Sequence, residues 1–178
     1  MLDVHTKTNK GIFLFLERTK KLINAIYGGA GSGKSWTIAQ FLIFKKLYGE
    51  EDKRILVTRK TLPSLRITAY KLVLDLLGKY RLPYQLNKSE MTISVGSNQM
   101  LFKSLDDPEK IQSYEGNYIW VEEATEITHK DFMQLKIRLR RDTDTLNQMF
   151  LSFNPIDQFH WLNLKLLNPE VTEDEKEP

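Results

Sequence analysis

Residues 28–35 read Gly-Gly-Ala-Gly-Ser-Gly-Lys-Ser, and this segment constrains the fold more than any other. It matches the pattern G-x-x-x-x-G-K-[ST], in which glycines let successive backbone N–H groups turn inward around a phosphate. A short apolar segment, 22–27, precedes the glycines, and a segment without Gly or Pro, 35–48, follows them. A strand, a glycine turn and a helix in this order point the positive end of the helix dipole at the same anion. The pattern therefore predicts a phosphate-binding loop.

The residue types in this loop predict individual tasks. Lys34 is expected to reach the β- and γ-phosphates of a nucleotide, and the Ser35 hydroxyl is expected to complete the shell of a Mg²⁺ ion. The residues predicted to bind the nucleotide are Gly28, Gly29, Ala30, Gly31, Ser32, Gly33, Lys34 and Ser35.

Two carboxylates follow a second apolar segment, residues 118–121. Open α/β sheets bind their ligands at the carboxyl ends of their strands, so these acids are candidates for the same site. Glu122 is expected to bind Mg²⁺ through its water shell, and Glu123 to polarise the water that attacks the γ-phosphate. A small-molecule kinase would not need the second carboxylate, so Glu123 favours hydrolysis. A solvent-facing turn capped by two acids is the structural alternative.

The remaining segments alternate between strand and helix patterns. Residues 55–58 are brief and mainly β-branched, and 148–153 form another short apolar run, so both are predicted strands. Apolar residues at helical spacing predict an amphipathic helix from Leu65 to Gly78. Residues 84–104 predict a β-hairpin inserted in the domain, whereas 132–139 fit either a helix or a strand. This order predicts an α/β fold with a mostly parallel central sheet flanked by helices.

Composition narrows the class of protein. A length of 178 residues fits one domain, and the absence of Cys, with only three scattered His, argues against a zinc site. The longest apolar run, 12–16, is far shorter than the roughly 18–20 residues of a membrane span. Residues 170–178 carry a net charge of −4, so residues 1–169 carry +7. A basic body permits a nucleic-acid partner, and a solvated charged surface is the alternative.

Several segments together resemble the ATPase part of bacteriophage terminase large subunits, the motors that pump DNA into procapsids. The resemblance spans about residues 20–165 and is carried by the combination of motifs more than by the glycine loop alone. The similar segments are 27–35, 57–60 with Leu65 and Arg66, 105–111, 120–126, 152–155, and the pair His160 and Trp161.

This resemblance implies a P-loop NTPase of the additional-strand, catalytic-glutamate class. It implies that Asn154 senses the γ-phosphate and couples hydrolysis to movement, although the amide could instead cap the turn before Pro155. Arg59 matches a basic position of the family that is expected to bind the nucleotide; a solvated arginine at a strand end is the alternative.

The chain departs from the family at two positions. The magnesium acid is more often Asp, and Glu122 is one methylene longer. Some terminases have an arginine that reaches into the neighbouring subunit where this chain has Gln112. Either a substitute cation or a basic solvated face is then expected among Lys110, Arg138, Arg140 and Arg141.

The resemblance implies Mg²⁺-dependent ATP hydrolysis that powers translocation of viral double-stranded DNA into procapsids, with ATP and Mg²⁺ as cofactors. It implies a portal protein and a small terminase subunit as partners. The working protein is then expected to form an oligomeric ring on the portal and to be a monomer in isolation. It is expected to act in the host cytoplasm, without a membrane. Residues 1–169 are expected to form the ATPase domain and 170–178 an acidic tail, without the family's nuclease domain or its activity. The alternatives are a helicase-like DNA-dependent ATPase and a nucleotide-dependent interaction module with little turnover.

Overall fold

Seven strands form one sheet in the computed structural model, which describes residues 8–106, 111, 113–141 and 145–168. Their order across the sheet is β1-β7-β6-β2-β5-β4-β3. The strands are β1 (Ile23–Tyr27), β2 (Arg54–Arg59), β3 (Gln85–Asn87), β4 (Thr92–Val95), β5 (Asn98–Ser104), β6 (Tyr118–Glu122) and β7 (Gln148–Phe153).

The described helices include π-helical turns. Helix α2 continues into one of them, and a second separates α3 from α4, so that residues 62–79 form one continuous helical rod. The α-helices are α1 (Lys10–Arg18), α2 (Lys34–Phe41), α3 (Leu62–Leu65), α4 (Lys71–Lys79) and α5 (His129–Arg138). The π-helical turns are Leu42–Leu47, Arg66–Tyr70 and Asn163–Leu167, and a 3₁₀ turn covers Ala124–Glu126.

The predicted mostly parallel sheet is confirmed. Strands β1, β7, β6, β2 and β5 pair in parallel, whereas β4 pairs antiparallel with β5 and β3 pairs antiparallel with β4. The hairpin predicted at 84–104 is present as β4 and β5, with Gly96 at φ 57° in its turn. The structure refines its position, because β5 lies beside β2 and the hairpin extends the central sheet.

Apolar side chains cover both faces of this sheet. On β6, Tyr118 and Trp120 pack on the side of α1, α2 and the rod 62–79, whereas Ile119 and Val121 pack on the side of α5. All four side chains are fully buried. A parallel strand covered by helices on both faces reads as an uninterrupted apolar run, which is why 118–121 predicts a strand without alternation.

The sequence pattern of α5 fits two kinds of structure, and α1 is not predicted at all. The segment 132–139 is mainly helical, because a capping box starts α5: the Thr128 hydroxyl accepts from the Asp131 backbone, and the Asp131 carboxylate accepts from the Thr128 backbone. Helix α1 has no counterpart among the predicted elements, although its signal is present, since Asn9 caps it by accepting from the Ile12 N–H at 3.2 Å.

Within the described residues, no helix is long and apolar enough to cross a membrane, and no three His, Asp or Glu side chains gather as a metal cluster. Gln112, Lys110 and the acidic segment 170–178 lie outside the described residues.

Candidate nucleotide-binding site

The glycine loop joins the carboxyl end of β1 to the first turn of α2, as the sequence predicted. Gly31 and Gly33 have φ values of 77° and 79°, a left-handed conformation that glycine adopts without steric cost. The loop is fixed at its ends, because the Gly28 N–H donates to the Phe153 carbonyl at 3.4 Å and the Thr37 N–H donates to the Gly33 carbonyl at 2.9 Å. The first bond holds the start of the loop beside the end of β7, and the second closes the first turn of α2.

The Lys34 ammonium lies inside this loop. Its Nζ donates to the carbonyls of Gly28 at 2.7 Å and Gly29 at 3.1 Å, and to the Ser32 hydroxyl at 3.3 Å. Lys34 is only 8% exposed, so solvent screens its charge little.

Asn154 connects the loop to the acidic strand end. Its Oδ1 accepts from Lys34 Nζ at 3.1 Å, and its Nδ2 donates to Glu123 Oε1 at 3.4 Å. Strand β7, which ends just before Asn154, lies between β1 and β6, so its end borders both the loop and the acids. One amide therefore bridges the residues predicted to hold phosphate and to activate water.

The two acids at the end of β6 differ in backbone conformation. Glu122 is the last strand residue, whereas Glu123 has φ 52° and ψ 59°, a left-handed conformation that is costly for a residue with a Cβ. Such conformations concentrate at functional sites. The Glu123 carboxylate accepts from Asn154 and also from the Thr125 hydroxyl, the latter at 3.4 Å. The separate roles predicted for the two acids stay a prediction.

Glu122 points to the other side, toward the rod 62–79. Its carboxylate accepts from the Thr68 hydroxyl and lies 3.8 Å from the Arg59 guanidinium. Burial raises the pKa of Glu122, and this desolvation outweighs the opposing effects of Thr68, Arg59 and the Ala69 backbone N–H. A buried carboxylate with a raised pKa gains from a nearby cation, because the cation favours its charged form.

Arg59 lies at the end of β2, and its described contacts are with acids and a hydroxyl. Its guanidinium binds Glu126 with two hydrogen bonds, at 2.9 and 2.7 Å, and reaches the Thr68 hydroxyl at 3.3 Å. The hydrogen bond to Glu126 raises the pKa of Arg59. The predicted role of Arg59 in nucleotide binding stays a prediction, and the structure adds a contact with two acids.

The donors near the loop suit Mg²⁺. Ser35 occupies the second position of α2, directly after the loop, and Glu122 supplies a buried carboxylate at the carboxyl end of β6. Hydroxyl and carboxylate oxygens are the hard ligands that Mg²⁺ prefers, together with water and phosphate oxygens. The residues present therefore fit the ion.

Sequence reasoning missed two contacts of the site. Thr68 has no signal beyond its place in an amphipathic helix, and its contact with Glu122 depends on how the rod 62–79 lies against the sheet. The segment before α1 also reaches the loop, because Asn9 donates to the Ser32 carbonyl at 3.3 Å and its backbone N–H donates to Thr37 at 3.0 Å.

His160 and Trp161, which carry part of the resemblance, fasten the segment after Asn154 to the turn after Glu123. Trp161 Nε1 donates to the Ile127 carbonyl at 2.8 Å, and His160 Nε2 lies 3.3 Å from the Thr125 carbonyl. The Trp161 ring packs against Phe132 of α5 at 5.3 Å. Both sides of the Asn154–Glu123 contact are thereby held together.

Comparison with known proteins gives one family. The sequence matches the family model described as phage terminase large subunit over residues 20–178. It is 29% identical over 140 residues to the PBSX phage terminase large subunit of Bacillus subtilis (strain 168), a match that covers 76% of this chain and 32% of that protein. The chain thus spans about a third of the length of this curated relative.

Solved structures agree on the fold. A large terminase from a thermophilic bacteriophage superimposes with a TM-score of 0.77 at 16% identity, over 93% of this chain and 42% of that one. The same thermophilic protein has also been solved in complex with ATP-gamma-S, with a TM-score of 0.74 to this chain at 16% identity. The large terminase ATPase domain of Thermus phage P74-26 matches with a TM-score of 0.61 at 14% identity, over 93% of this chain and 89% of that domain.

Proposed function

This chain belongs to the phage terminase large subunit family, and we propose that it hydrolyses ATP with Mg²⁺ to drive viral double-stranded DNA into procapsids. The observation that carries the proposal is the contact series Lys34–Asn154–Glu123. The Lys34 ammonium follows the loop after β1, the Glu123 carboxylate follows β6, and both contact the amide of Asn154, which follows the intervening strand β7. A structural glycine turn would not need either group beside it.

The loop residues bind and stabilise the phosphates. The amides of 28–35 and the N-terminus of α2 present partial positive charge, and Lys34 adds a full charge in a site that excludes most solvent. Mg²⁺, when bound, neutralises charge on the β- and γ-phosphates. Ser35 and Glu122 are the residues that would hold the ion.

Glu123 and Asn154 act on the attacking water. The Glu123 carboxylate accepts a hydrogen bond from the water and aligns it with the γ-phosphorus, and Asn154 fixes the carboxylate through Nδ2. Because Asn154 also contacts Lys34, loss of the γ-phosphate changes the surroundings of an amide that directly follows β7. This is a physical route from hydrolysis to movement.

The test compares Lys34→Ala with Glu123→Gln. Lys34→Ala removes the buried cation and should weaken ATP binding by about 10- to 100-fold, the range for a charged hydrogen bond. Glu123→Gln should keep binding and lower kcat by about 10²- to 10⁴-fold. Binding is measured with a fluorescent ATP analogue and turnover by phosphate release.

Matched controls lie in the turn between β3 and β4, at the far border of the sheet. Lys88→Ala and Glu90→Gln remove the same charges there and should leave binding and turnover unchanged. Undiminished hydrolysis by Glu123→Gln would contradict the catalytic role of Glu123.

The proposed cargo and partners are double-stranded DNA, a portal protein and a small terminase subunit, with the working motor a ring on the portal in the host cytoplasm. ATP turnover by this chain should rise when DNA and portal are added together. Unwinding of DNA without a portal would favour a helicase-like motor, and ATP binding without turnover under every condition would favour an interaction module.

A further inference from the structure

The π-helical turn Arg66–Tyr70 interrupts the rod 62–79 between α3 and α4. π-Helical turns inside α-helices are frequent at functional sites. This turn contains Thr68 and Ala69, and both lie against the buried carboxylate of Glu122. Neither residue belongs to the segments that carry the family resemblance.

We propose that Thr68 is a positioning residue for the magnesium acid Glu122, holding its carboxylate so that one oxygen stays available to the hydrated ion. The proposal rests on the proposed ATPase function. It concerns how Glu122 is oriented, and Thr68 itself touches neither nucleotide nor metal.

The side-chain contacts of Glu122 with Thr68 and Arg59 fall on the same oxygen. The Thr68 hydroxyl donates to Oε2, and an Arg59 nitrogen lies 3.8 Å from that atom. Neither of these side chains contacts Oε1, so a water of the hydrated ion would bind there; the Ala69 backbone N–H also donates to this carboxylate. Partners that fix a ligand in this way commonly change metal affinity by 10- to 100-fold when they are removed.

The position of Thr68 is itself well determined. Its hydroxyl has a second acceptor within reach, the Ser64 carbonyl at 2.7 Å, and it accepts from Arg59 at 3.3 Å. Arg59 is in turn fixed by its two hydrogen bonds to Glu126. Thr68 thus stays partnered if Glu122 shifts when the ion binds.

The need to restrain Glu122 can be tested with conservative variants of Thr68. Glutamate is one methylene longer than aspartate and has one more rotatable bond, so it needs more restraint to present one oxygen in a defined direction. Thr68→Val keeps the branched shape and removes the hydroxyl, whereas Thr68→Ser keeps the hydroxyl. Thr92→Val in β4 makes the same change at the far border of the sheet.

The probe is Mn²⁺ in place of Mg²⁺, measured by electron paramagnetic resonance in the presence of ADP. Thr68→Val should bind Mn²⁺ about 10- to 100-fold more weakly than wild type, while its affinity for ADP in EDTA stays unchanged. Thr68→Ser should restore Mn²⁺ binding, and Thr92→Val should match wild type. In turnover, Thr68→Val should need more Mg²⁺ for half-saturation, with KM for ATP unchanged at saturating Mg²⁺.

The outcomes separate this proposal from the proposed function. Wild type that binds Mn²⁺ with ADP, together with a folded Thr68→Val of equal Mn²⁺ affinity, would overturn the positioning role alone. Wild type that binds neither ADP nor Mn²⁺ would overturn the ATPase assignment and this proposal with it. Equal loss in Thr68→Ser and Thr68→Val would also count against the hydroxyl as the cause.

Discussion

Asn154 is the side chain at which the phosphate loop and the acidic strand end meet. At the scale of single residues, the local pattern in 28–35 and the acids after 118–121 are enough to nominate Lys34 and Glu123. A local sequence pattern does not predict that both residues contact Asn154, because Asn154 lies 120 positions from Lys34 and 31 from Glu123 along the chain. The resemblance to terminases nominates Asn154, and the geometry supplies a reason.

Removal of the Asn154 amide should therefore separate binding from chemistry. Asn154→Ala leaves Lys34 its three loop acceptors but removes the donor to Glu123, so we expect ADP affinity within about twofold and kcat lower by about 10- to 100-fold. Phosphate release and fluorescent-nucleotide binding measure the two effects. Gln158→Ala, which removes an exposed amide further along the chain, is the control. Equal losses in affinity and kcat would contradict the orienting role.

At the scale of elements, patterns predict the strands and the main amphipathic helix, and packing decides the ambiguous cases. Residues 132–139 fit a strand as well as a helix by periodicity, since Leu135 and Leu139 satisfy both patterns. The capping box of Thr128 and Asp131 and the burial of Phe132 and Leu135 against the sheet make the segment helical. Helix α1 is not predicted from the sequence because its apolar run is short. Its contacts with the core are made with residues far along the chain, such as that of Phe13 with Phe41.

The cap of α5 predicts a pH dependence of stability. Burial alone would raise the pKa of Asp131, but hydrogen bonds from the Thr128 backbone and from Lys60 outweigh it and lower the pKa. A lowered pKa in the folded state means that the stabilisation is complete above the unfolded value, about 3.9, and is lost as the pH falls through the folded value.

Asp131→Asn should lower the free energy of unfolding at pH 7 by about 0.3–1 kcal/mol, because the amide still accepts from the Thr128 N–H but lacks the charge that pairs with Lys60 and the helix N-terminus. The difference from wild type should shrink as the pH falls below about 4, because the carboxyl is then protonated first in the unfolded state and, at lower pH, in the folded state as well. Urea unfolding between pH 7 and pH 3 measures it, with Asp75→Asn on the exposed side of α4 as the control. A difference that stays constant across this range would contradict the account.

At the scale of the whole molecule, the charge distribution is the property that the sequence states directly. Residues 1–169 carry 25 basic and 18 acidic side chains, and the acids Glu126 and Asp131 near the site are paired with Arg59 and Lys60. A net positive body attracts the phosphates of DNA without reading its sequence.

Binding of double-stranded DNA should accordingly be weak, independent of sequence, and sensitive to salt. We expect the affinity to fall by at least about tenfold between roughly 50 and 200 mM salt, because bound Lys and Arg release counterions from the duplex. Fluorescence anisotropy with two unrelated duplexes of equal length measures both properties. An affinity that does not change with salt, or no binding at the lower salt concentration, would contradict it.

The sequence by itself determined the phosphate loop, the identity of the two acids, the alternation of strands and helices, and the family. The loop, the acids and each strand or helix pattern depend on the order of residues within about ten positions, and the family follows from several such motifs along the chain. Only the tertiary structure decided that β7 lies between β1 and β6, that Asn154 consequently joins Lys34 to Glu123, and that Thr68 contacts Glu122. The physical reason is that strand order and helix placement follow from which apolar faces bury one another, and those faces belong to segments far apart in the chain.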